Sequence, residues 1–375
     1  MTATEPSAQA KAKAWAQLKE HSQSPDQVRA RLESWMRARL EDRRLTVGPL
    51  STPGGTGIAN ETLLFDVHHS SGAVQGYVAR IATADPLYLD DDLSMHYRMY
   101  AAMATVPAVP TPAVFGYEPD SAVVGSPFFV MQKIDGSIPT DNPPWWTQGF
   151  VAEASPVQRR MLWERTVRTM ADLHRLDPEP FLFLRTGATD DGVGDSLDYW
   201  IRSLRWANVE QPVPLTEIAE EWLLAHRPSG TALSWGDSRL PNVIYRDYTP
   251  VALLDWDLVS LAGPQADLAW WIIMTAPDSL QLDGIGGHDE FVDLWEDLTG
   301  TRAADLHWYL VFGAYRLAAI LAKLFSTFVA RGRMSADLAL AQLCVGNHVQ
   351  LLAGLLDLTP PPGVVPMVPD VRLDR

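Results

Sequence analysis

Three polar residues at the ends of apolar segments constrain this chain more than any other feature. Residues 234–257 read SWGDSRLPNVIYRDYTPVALLDWD, in which Asp237, Asn242 and Asp255 flank short apolar runs. Burying a carboxylate is costly unless its charge is paired or binds a metal. Turn and cap chemistry explains one such residue, but three of them together at this spacing favour a functional site.

Short β segments dominate the chain before about residue 135, and helices dominate after it. Strands are predicted at 44–50, 61–70 and 73–82 and in PTPAVFGYEP and SPFFVMQKIDG, with a helix at 93–104. A Gly-rich loop at 51–60, STPGGTGIAN, joins the first two strands. The pattern predicts an α+β fold of two lobes, with a small antiparallel sheet in the N-lobe and a larger helical C-lobe that residues 234–257 interrupt.

We divide the chain into four parts at its changes of composition and periodicity. They are an N-terminal helical extension (1–43), an N-lobe (44–135), a helical C-lobe (136–359) and a Pro-rich tail (360–375). Within the extension, 25–43 has helical periodicity, with Ser24 as N-cap and Pro25 at the first helical position.

Charge and composition exclude several classes of protein. The formal net charge is −16, which argues against a nucleic-acid partner because such proteins need a basic face. A cationic substrate is compatible with this charge, but solubility is the simpler reading. The N-terminus lacks the apolar region of a signal peptide, no stretch has about eighteen uncharged apolar residues in a row, and Cys344 is the only cysteine. We therefore expect a cytoplasmic protein with no membrane partner; the sequence does not indicate its oligomeric state.

A sheet with a Gly-rich loop, followed by a helical lobe with an Asp-rich loop, is the layout of a kinase-type phosphotransferase. Phosphoryl transfer depends on positioning and on charge neutralisation. One carboxylate must orient the acceptor hydroxyl and take its proton, which suits Asp237. A second must hold Mg²⁺ on the nucleotide phosphates, with an amide oxygen to complete the metal shell, which suits Asp255 and Asn242.

Three motifs, WGDSRLPN, VALLDWD and PQADLAWW, resemble the aminoglycoside phosphotransferase family, also called the phosphotransferase enzyme family, of the protein-kinase-like fold. The segments GSPFFVMQKIDG and WYLVFGAYRLAAIL are similar to the branch of kinase-like domains fused to acyl-CoA dehydrogenases. The WGD motif also resembles actinobacterial stand-alone members. The resemblance runs from about residue 45 to 355, and it departs from the family pattern at Trp235, where His is usual, and at Asp257, where Glu is usual.

The resemblance implies ATP (or GTP) and Mg²⁺ as cofactors and gives roles to five residues of the C-lobe. Asp237 corresponds to the catalytic base, and Asn242 and Asp255 to the metal ligands. Asp257 is either a second metal contact or a salt-bridged loop residue. Asp267 corresponds to the residue that braces the catalytic loop by accepting its backbone N–H groups.

The resemblance also implies a nucleotide site in the N-lobe. The phosphate loop contributes Thr52, Gly54, Gly55, Thr56 and Asn60. The hinge contributes backbone groups of Met131, Gln132 and Ile134 to the adenine edge. Arg80 stands where the family places the cation that reaches the phosphates.

His96 departs from the family at the position of the Glu that pairs with that cation. A His cannot anchor Arg80 as a carboxylate would, and Asp90, Asp91 or Asp92 could take its place. This departure is the reason for an alternative function, a nucleotide-binding pseudokinase.

Other aromatic and acidic residues have two readings each. Trp145 and Trp146 follow two prolines and are candidates for an acceptor site, whereas Trp270 and Trp271 are better read as core. His174 is better read as a packed helix residue than as a general base, and HDEFVDLWED as a solvated helix face.

The sequence therefore predicts an ATP- and Mg²⁺-dependent phosphotransferase acting on a hydroxyl of a small molecule, of unidentified acceptor. The alternatives are the pseudokinase and a non-catalytic binder of an apolar metabolite.

Overall fold

The structure is a computed structural model that describes residues 24–53, 60–207 and 212–373. The chain forms two compact units. Of the described residues, the first unit comprises those up to 86 with 92–105 and 111–135, and the second comprises 87–91, 106–110 and those from 136 onward. The long segment of the second unit begins at Gly136, and two short segments before it also belong to this unit.

A five-stranded antiparallel sheet forms the centre of the first unit. Its strands are β1 (Thr46–Val47), β2 (Glu61–His68), β3 (Val74–Ile81), β4 (Val114–Glu118) and β5 (Phe128–Gln132), in the order β1-β2-β3-β5-β4. The β2–β3 hairpin turns at Gly72, whose φ of +88° is a conformation that glycine adopts without a steric penalty. Inward residues of β2 alternate with outward ones, as in a half-buried strand.

Helix α1 (Pro25–Arg39) begins as its sequence predicts. Ser24 and Gln27 form a capping box, and Pro25 occupies the first turn. Four side chains of this helix then join the core of the sheet, namely Val28, Leu32, Trp35 and Met36. Although 1–43 is predicted to be a separate extension, α1 is part of the first unit, because its apolar stripe covers the sheet.

The second helix of this unit, α2 (Leu93–Met103), packs on β4 and β5. Its N-cap is Asp92, whose carboxylate accepts the backbone N–H of Ser94 at 2.9 Å. Tyr97 stacks on Tyr117, with ring centroids 5.8 Å apart.

The second unit is mainly helical. Its helices are α3 (Pro156–His174), α4 (Gly192–Trp206), α5 (Thr216–Ala225), α6 (Pro264–Met274), α7 (His288–Thr299), α8 (Leu306–Ala330), α9 (Ala336–Val345) and α10 (Asn347–Leu355). The long helix α8 lies at the centre and packs against α4, α5, α6, α9 and α10. Between α5 and α6 the chain forms a hairpin of β6 (Val243–Arg246) and β7 (Thr249–Leu253).

The Pro-rich tail packs on the helical unit instead of forming a separate part. Val364 is buried, and the N–H of Met367 donates to the carbonyl of Gln350 at 2.9 Å. Arg372 pairs with Asp289 and Asp293 at 3.1 and 2.6 Å. The acidic face of α7 is thus partly covered by the tail, because one Arg crosses two of its exposed carboxylates.

Two helical stretches are long and apolar enough to cross a membrane by length and composition alone, Leu306–Ala330 and Ala336–Leu355. The apolar window of the first is 61% buried inside the protein. A core helix passes the same test, so these stretches are weak evidence for a membrane span.

Candidate active site

The loop that carries Asp237 is held in a conformation that only glycine permits. Gly236 has a φ of +97°, and a Cβ there would lie 2.0 Å from the carbonyl oxygen of Leu258. Just before it, Ser234 exchanges backbone hydrogen bonds with Ser260 at 2.9 and 3.2 Å. The local chain path is therefore set by close backbone contact on both sides of the turn.

Asp267, in the first turn of α6, braces this loop from behind. Its fully buried carboxylate accepts the backbone N–H groups of Trp235 and Gly236 at 2.6 and 2.7 Å and the Ser234 hydroxyl at 3.0 Å. These are the contacts that the resemblance implied for Asp267. Its effect on catalysis stays a prediction.

His174, the last residue of α3, completes the set of donors to Asp267. The indole N–H of Trp295 donates to Nδ1 of His174 at 2.9 Å, so the ring proton lies on Nε2, which donates to Asp267 at 2.9 Å. The His174 side chain is fully buried. This agrees with a packed helix residue and leaves His174 no access to a substrate proton.

Asp237 accepts hydrogen bonds from three side chains. Asn242 donates its amide N–H to Oδ2 at 2.6 Å, and Trp270 donates its indole N–H to Oδ1 at 2.7 Å. The Nε–H of Arg239 reaches both oxygens at 3.0 and 3.1 Å. Asp237 is 8% exposed, so its charge is stabilised mainly by these donors.

Arg239 links Asp237 to a second acid, Asp141. Its Nη1 donates to both carboxylate oxygens of Asp141 at 2.8 Å. Burial lowers the pKa of Arg239, but the charges of Asp237 and Asp141 outweigh burial and raise it above its usual range. Arg239 is a permanent cation beside the predicted base, and no sequence motif indicated it.

The loop that carries Asp141 also contains the two aromatic residues proposed for the acceptor. Trp145 is 8% exposed, and its ring meets that of Trp146 edge-on with centroids 5.5 Å apart. Trp145 therefore serves mainly to pack the loop, whereas the half-buried Trp146 leaves more of its side chain accessible to solvent. The acceptor role of this pair stays a prediction.

The two predicted metal ligands lie on connected backbone. The N–H of Leu254 donates to the carbonyl of Asn242 at 2.8 Å, directly before Asp255. The Leu254 carbonyl accepts the indole N–H of Trp235 at 2.8 Å. Trp235, which stands where the resemblance places a His, thus connects the loop of Asp237 to the loop of Asp255.

Asp255 has an unusual backbone conformation. Its φ is +56°, a left-handed geometry that is uncommon outside glycine but is tolerated by Asp and Asn. Asp255 and Asp257 are both half-buried. In the described part of the chain, no group of three or more His, Cys, Asp or Glu side chains could hold a metal ion.

Tyr88 is a further residue whose pKa is influenced by the predicted catalytic and metal-binding carboxylates. It lies in the segment 87–91, which belongs to the second unit and is tied to α4 by the Tyr199 hydroxyl, which donates to the Leu89 carbonyl at 2.9 Å. Burial raises the pKa of Tyr88 well above its usual range, and the charges of Asp255, Asp237 and Asp257 add to this. No motif marks Tyr88, because its place depends on the packing of 87–91.

Arg316, in the middle of α8, is another residue without a role predicted from the sequence. It is 2% exposed, and its Nη2 donates to the carbonyl of Gly236 at 2.8 Å. Its guanidinium lies over the ring of Trp270, 4.4 Å from the centroid. The only sequence signal was an Arg within an apolar helix, which gives no partner.

Several predicted nucleotide contacts lie in the first unit. Asn60 is buried just before β2, Thr52 is half-buried, and β3 places Arg80 between Thr62 and Phe129. Gly54, Gly55 and Thr56 lie outside the described residues.

The predicted hinge is the end of β5. The N–H of Gln132 donates to the carbonyl of Ala113 at 2.8 Å, so this donor is already used within the sheet. Met131 is buried and Ile134 is half-buried. The adenine contact of these residues stays a prediction.

His96 is 7% exposed on α2, so it does not lie on a solvent face. Two of the acids proposed to replace it have other partners. Asp90 pairs with Arg202 at 3.2 Å, and Asp92 caps α2.

Comparisons with known proteins identify the family. The model of the Phosphotransferase enzyme family matches residues 56–306, more than half of the chain. A curated relative, acyl-CoA dehydrogenase family member 11 of Pongo abelii, is 25% identical over 65% of this chain, and the aligned part spans only 32% of that protein. The predicted similarity to kinase-like domains of acyl-CoA dehydrogenase proteins is confirmed.

Solved structures share the fold. A candidate aminoglycoside phosphotransferase from Ralstonia eutropha JMP134 has a TM-score of 0.61 and 25% identity, and the match covers 83% of this chain and 92% of that one. Aminoglycoside phosphotransferase APH(4)-Ia, solved with ADP and hygromycin B, has a TM-score of 0.52 and 14% identity, over 83% and 96% of the two chains. The predicted fold class is confirmed: the chain belongs to the Phosphotransferase enzyme family and has its kinase-like α+β fold.

Proposed function

We propose that this protein is an ATP- and Mg²⁺-dependent phosphotransferase that moves a γ-phosphoryl group to a hydroxyl of a small molecule. The observation that carries the proposal is the setting of Asp237, on a loop whose backbone N–H groups are held by Asp267. Family membership supports phosphotransfer. The complex of APH(4)-Ia with ADP and hygromycin B supports a nucleotide and a small molecule as ligands of this fold.

Asp237 is proposed as the general base. It accepts the proton of the acceptor hydroxyl while that oxygen attacks the γ-phosphorus, and the bond to the β,γ-bridging oxygen breaks. ADP leaves with the bridging oxygen, and the proton passes from Asp237 to solvent. Since Arg239 donates to both oxygens of Asp237, we expect the acceptor hydroxyl to replace this contact.

The proposed metal ligands fit Mg²⁺, which prefers oxygen ligands and binds through one or two carboxylates together with substrate phosphates. The amide nitrogen of Asn242 donates to Asp237, which leaves its amide oxygen as the metal ligand. Asp255 supplies a carboxylate, and Asp257 is proposed as a further contact. When bound, the ion would neutralise charge on the β- and γ-phosphates.

Nucleotide calorimetry tests the metal assignment. Asp255→Asn removes one charge and keeps a residue that tolerates the left-handed backbone, so we expect Mg²⁺-dependent ATP affinity to fall at least about tenfold, since Asp255 is a direct ligand in this proposal. Asp247→Asn is the matched control, because Asp247 also has a positive φ of 49° but is exposed in the β6–β7 turn. Equal ATP affinity in both variants and the wild type would remove Asp255 from the metal site.

An unbiased screen tests the reaction itself. Small-molecule extracts are incubated with the protein, ATP and Mg²⁺, and products that gain one phosphate are detected by mass spectrometry. We expect at least one phosphorylated product in the wild type and none in Asp237→Asn, whose nucleotide affinity should remain unchanged. Nucleotide binding without any transfer would support the pseudokinase alternative and overturn the proposal.

A further inference from the structure

Arg316 is a buried cation with few partners. In the described part of the chain, no Asp or Glu lies within salt-bridge distance of its guanidinium, and Nε has no hydrogen-bond partner. Burial lowers the pKa of Arg316 to about 10, although Asp267 and Asp237 act in the opposite direction. It is therefore charged at neutral pH, and its position needs a physical reason, because burying an unpaired charge is costly.

Three aromatic rings surround the guanidinium. Its Cζ lies 4.4 Å from the ring centroid of Trp270, 5.1 Å from that of Trp200 and 6.0 Å from that of Phe312. Cation–π contact is worth more when the cation is desolvated. These rings come from α6, α4 and α8, so the guanidinium of Arg316 lies in an aromatic site that three helices form.

The guanidinium contacts the catalytic loop at the residue before Asp237. The carbonyl of Gly236 accepts a hydrogen bond from Nη2 of Arg316 at 2.8 Å, and the N–H of Gly236 donates to Asp267 at 2.7 Å. The backbone of Gly236 thus joins a buried cation to a buried carboxylate. Because its Cα also lies against the carbonyl of Leu258, this residue is held from three directions.

A second route joins Arg316 to Asp237. The ring of Trp270 lies next to the guanidinium, and its indole N–H donates to Oδ1 of Asp237 at 2.7 Å. The same cation therefore contacts both the backbone that leads to Asp237 and a donor that orients its carboxylate.

We propose that Arg316 is a positioning residue for phosphoryl transfer, which holds Gly236 and Trp270 so that the carboxylate of Asp237 faces the acceptor oxygen. This inference rests on the proposed function of Asp237. Arg316 does not touch substrate; it acts through the two groups that it contacts.

The test compares Arg316→Gln and Arg316→Lys. Using ATP·Mg²⁺ with water as the acceptor, we expect kcat for ADP release to fall about 100-fold in the Gln variant, the loss typical of a misplaced catalytic group. The Lys variant keeps the charge without the planar fork, so its kcat should fall about 5- to 10-fold. The ATP affinity measured by calorimetry should stay within about threefold in both, because a merely structural loss would lower affinity and kcat together.

A spectroscopic readout keeps the test independent of turnover. The indole N–H resonance of Trp270, assigned as the signal absent from Trp270→Phe, should shift in both Arg316 variants because its hydrogen bond to Asp237 changes. Lys323→Met is the matched control, because Lys323 lies on α8 like Arg316 and its ammonium is 4.4 Å from the ring centroid of Trp206. This variant should change neither kcat nor the Trp270 resonance.

Either folded variant can overturn the inference. Wild-type kcat together with an unchanged Trp270 resonance in Arg316→Gln would do so, and if that variant does not fold, the same result in Arg316→Lys decides. If the wild type transfers no phosphate, the proposed function fails, and the resonance still reports whether Arg316 positions Trp270 and Asp237.

Discussion

Asp237 and Asp267 are both buried carboxylates, but their partners differ. Asp267 accepts hydrogen bonds from two backbone N–H groups of the loop that it braces. Asp237 accepts hydrogen bonds only from side chains, one of them Arg239. Backbone donors make Asp267 a fixed support. Side-chain donors can be exchanged, and this is what a base needs when an acceptor hydroxyl enters.

Trp270 gives the sharpest test among single residues. Trp270→Phe keeps an aromatic ring beside Arg316 but removes the N–H that donates to Asp237 at 2.7 Å. A hydrogen bond to a charged group is worth about 1.5–3 kcal/mol, so kcat for ATP turnover should fall roughly 10- to 100-fold while ATP affinity stays the same.

Trp271→Phe is the matched control for that change. Trp271 is the neighbouring buried indole of α6 and stacks on Phe291 with centroids 5.0 Å apart. Its kcat should be close to that of the wild type. Similar losses in both variants would mean that Trp270 acts by packing alone.

At the scale of elements, the local sequence predicts where helices are capped, but it does not predict how they pack against each other. Ser24 caps α1 as its sequence predicts, and Ser155 with Gln158 forms a capping box at the start of α3. By contrast, α10 docks with a fully buried His348, whose Nε2–H donates to the Leu343 carbonyl at 3.0 Å. That burial is a property of the packed helices.

His348 should make the helical unit sensitive to acid. Burial lowers its pKa to about 4, from 6.5 in the unfolded chain. Below pH 6.5 the unfolded state binds the proton and the folded state does not, so stability is fully present above pH 6.5 and is lost as the pH falls toward 4. The shift predicts a loss of about 2 kcal/mol between pH 7.5 and 5, measured by urea unfolding.

A comparison of two variants isolates this effect from other titrations. His348→Leu should unfold with a smaller difference in free energy between pH 7.5 and 5 than the wild type. His226→Gln, at an exposed position, should keep the full difference. If His348→Leu kept the wild-type difference in unfolding free energy between pH 7.5 and 5, the acid sensitivity would come from residues other than His348.

For the whole molecule, the main revision concerns how the chain is partitioned. Helix α1 contributes to the core of the first unit, the segment 87–91 belongs to the second, and the tail pairs with α7 through Arg372. Chain segments that look like extensions or linkers therefore belong to the two compact units.

Leu32 tests the place of α1. It is fully buried against the sheet, so Leu32→Ala should lower the free energy of unfolding of the first unit by about 2–5 kcal/mol. Ser34→Ala, on the exposed side of the same helix, should change it by less than about 0.5 kcal/mol. Equal stability of the two variants would restore α1 to the status of an independent extension.

The sequence alone determined the features that depend on neighbouring residues. The Gly236–Asp237 turn, the spacing of Asn242 from it and the period of β2 follow from local chain geometry. The family resemblance then gave Asp267 its predicted role of bracing that loop.

Only the tertiary structure decided which distant groups surround Asp237. Trp270 lies 33 residues away along the chain, Arg316 contacts a carbonyl 80 residues away, and His174 reaches Asp267 across 93. A buried hydrogen bond between such residues leaves no periodic or local signal, because it depends on how whole helices pack. The sequence therefore located the predicted base, while the packing of α3, α4, α6 and α8 supplied the donors and the cation that hold it.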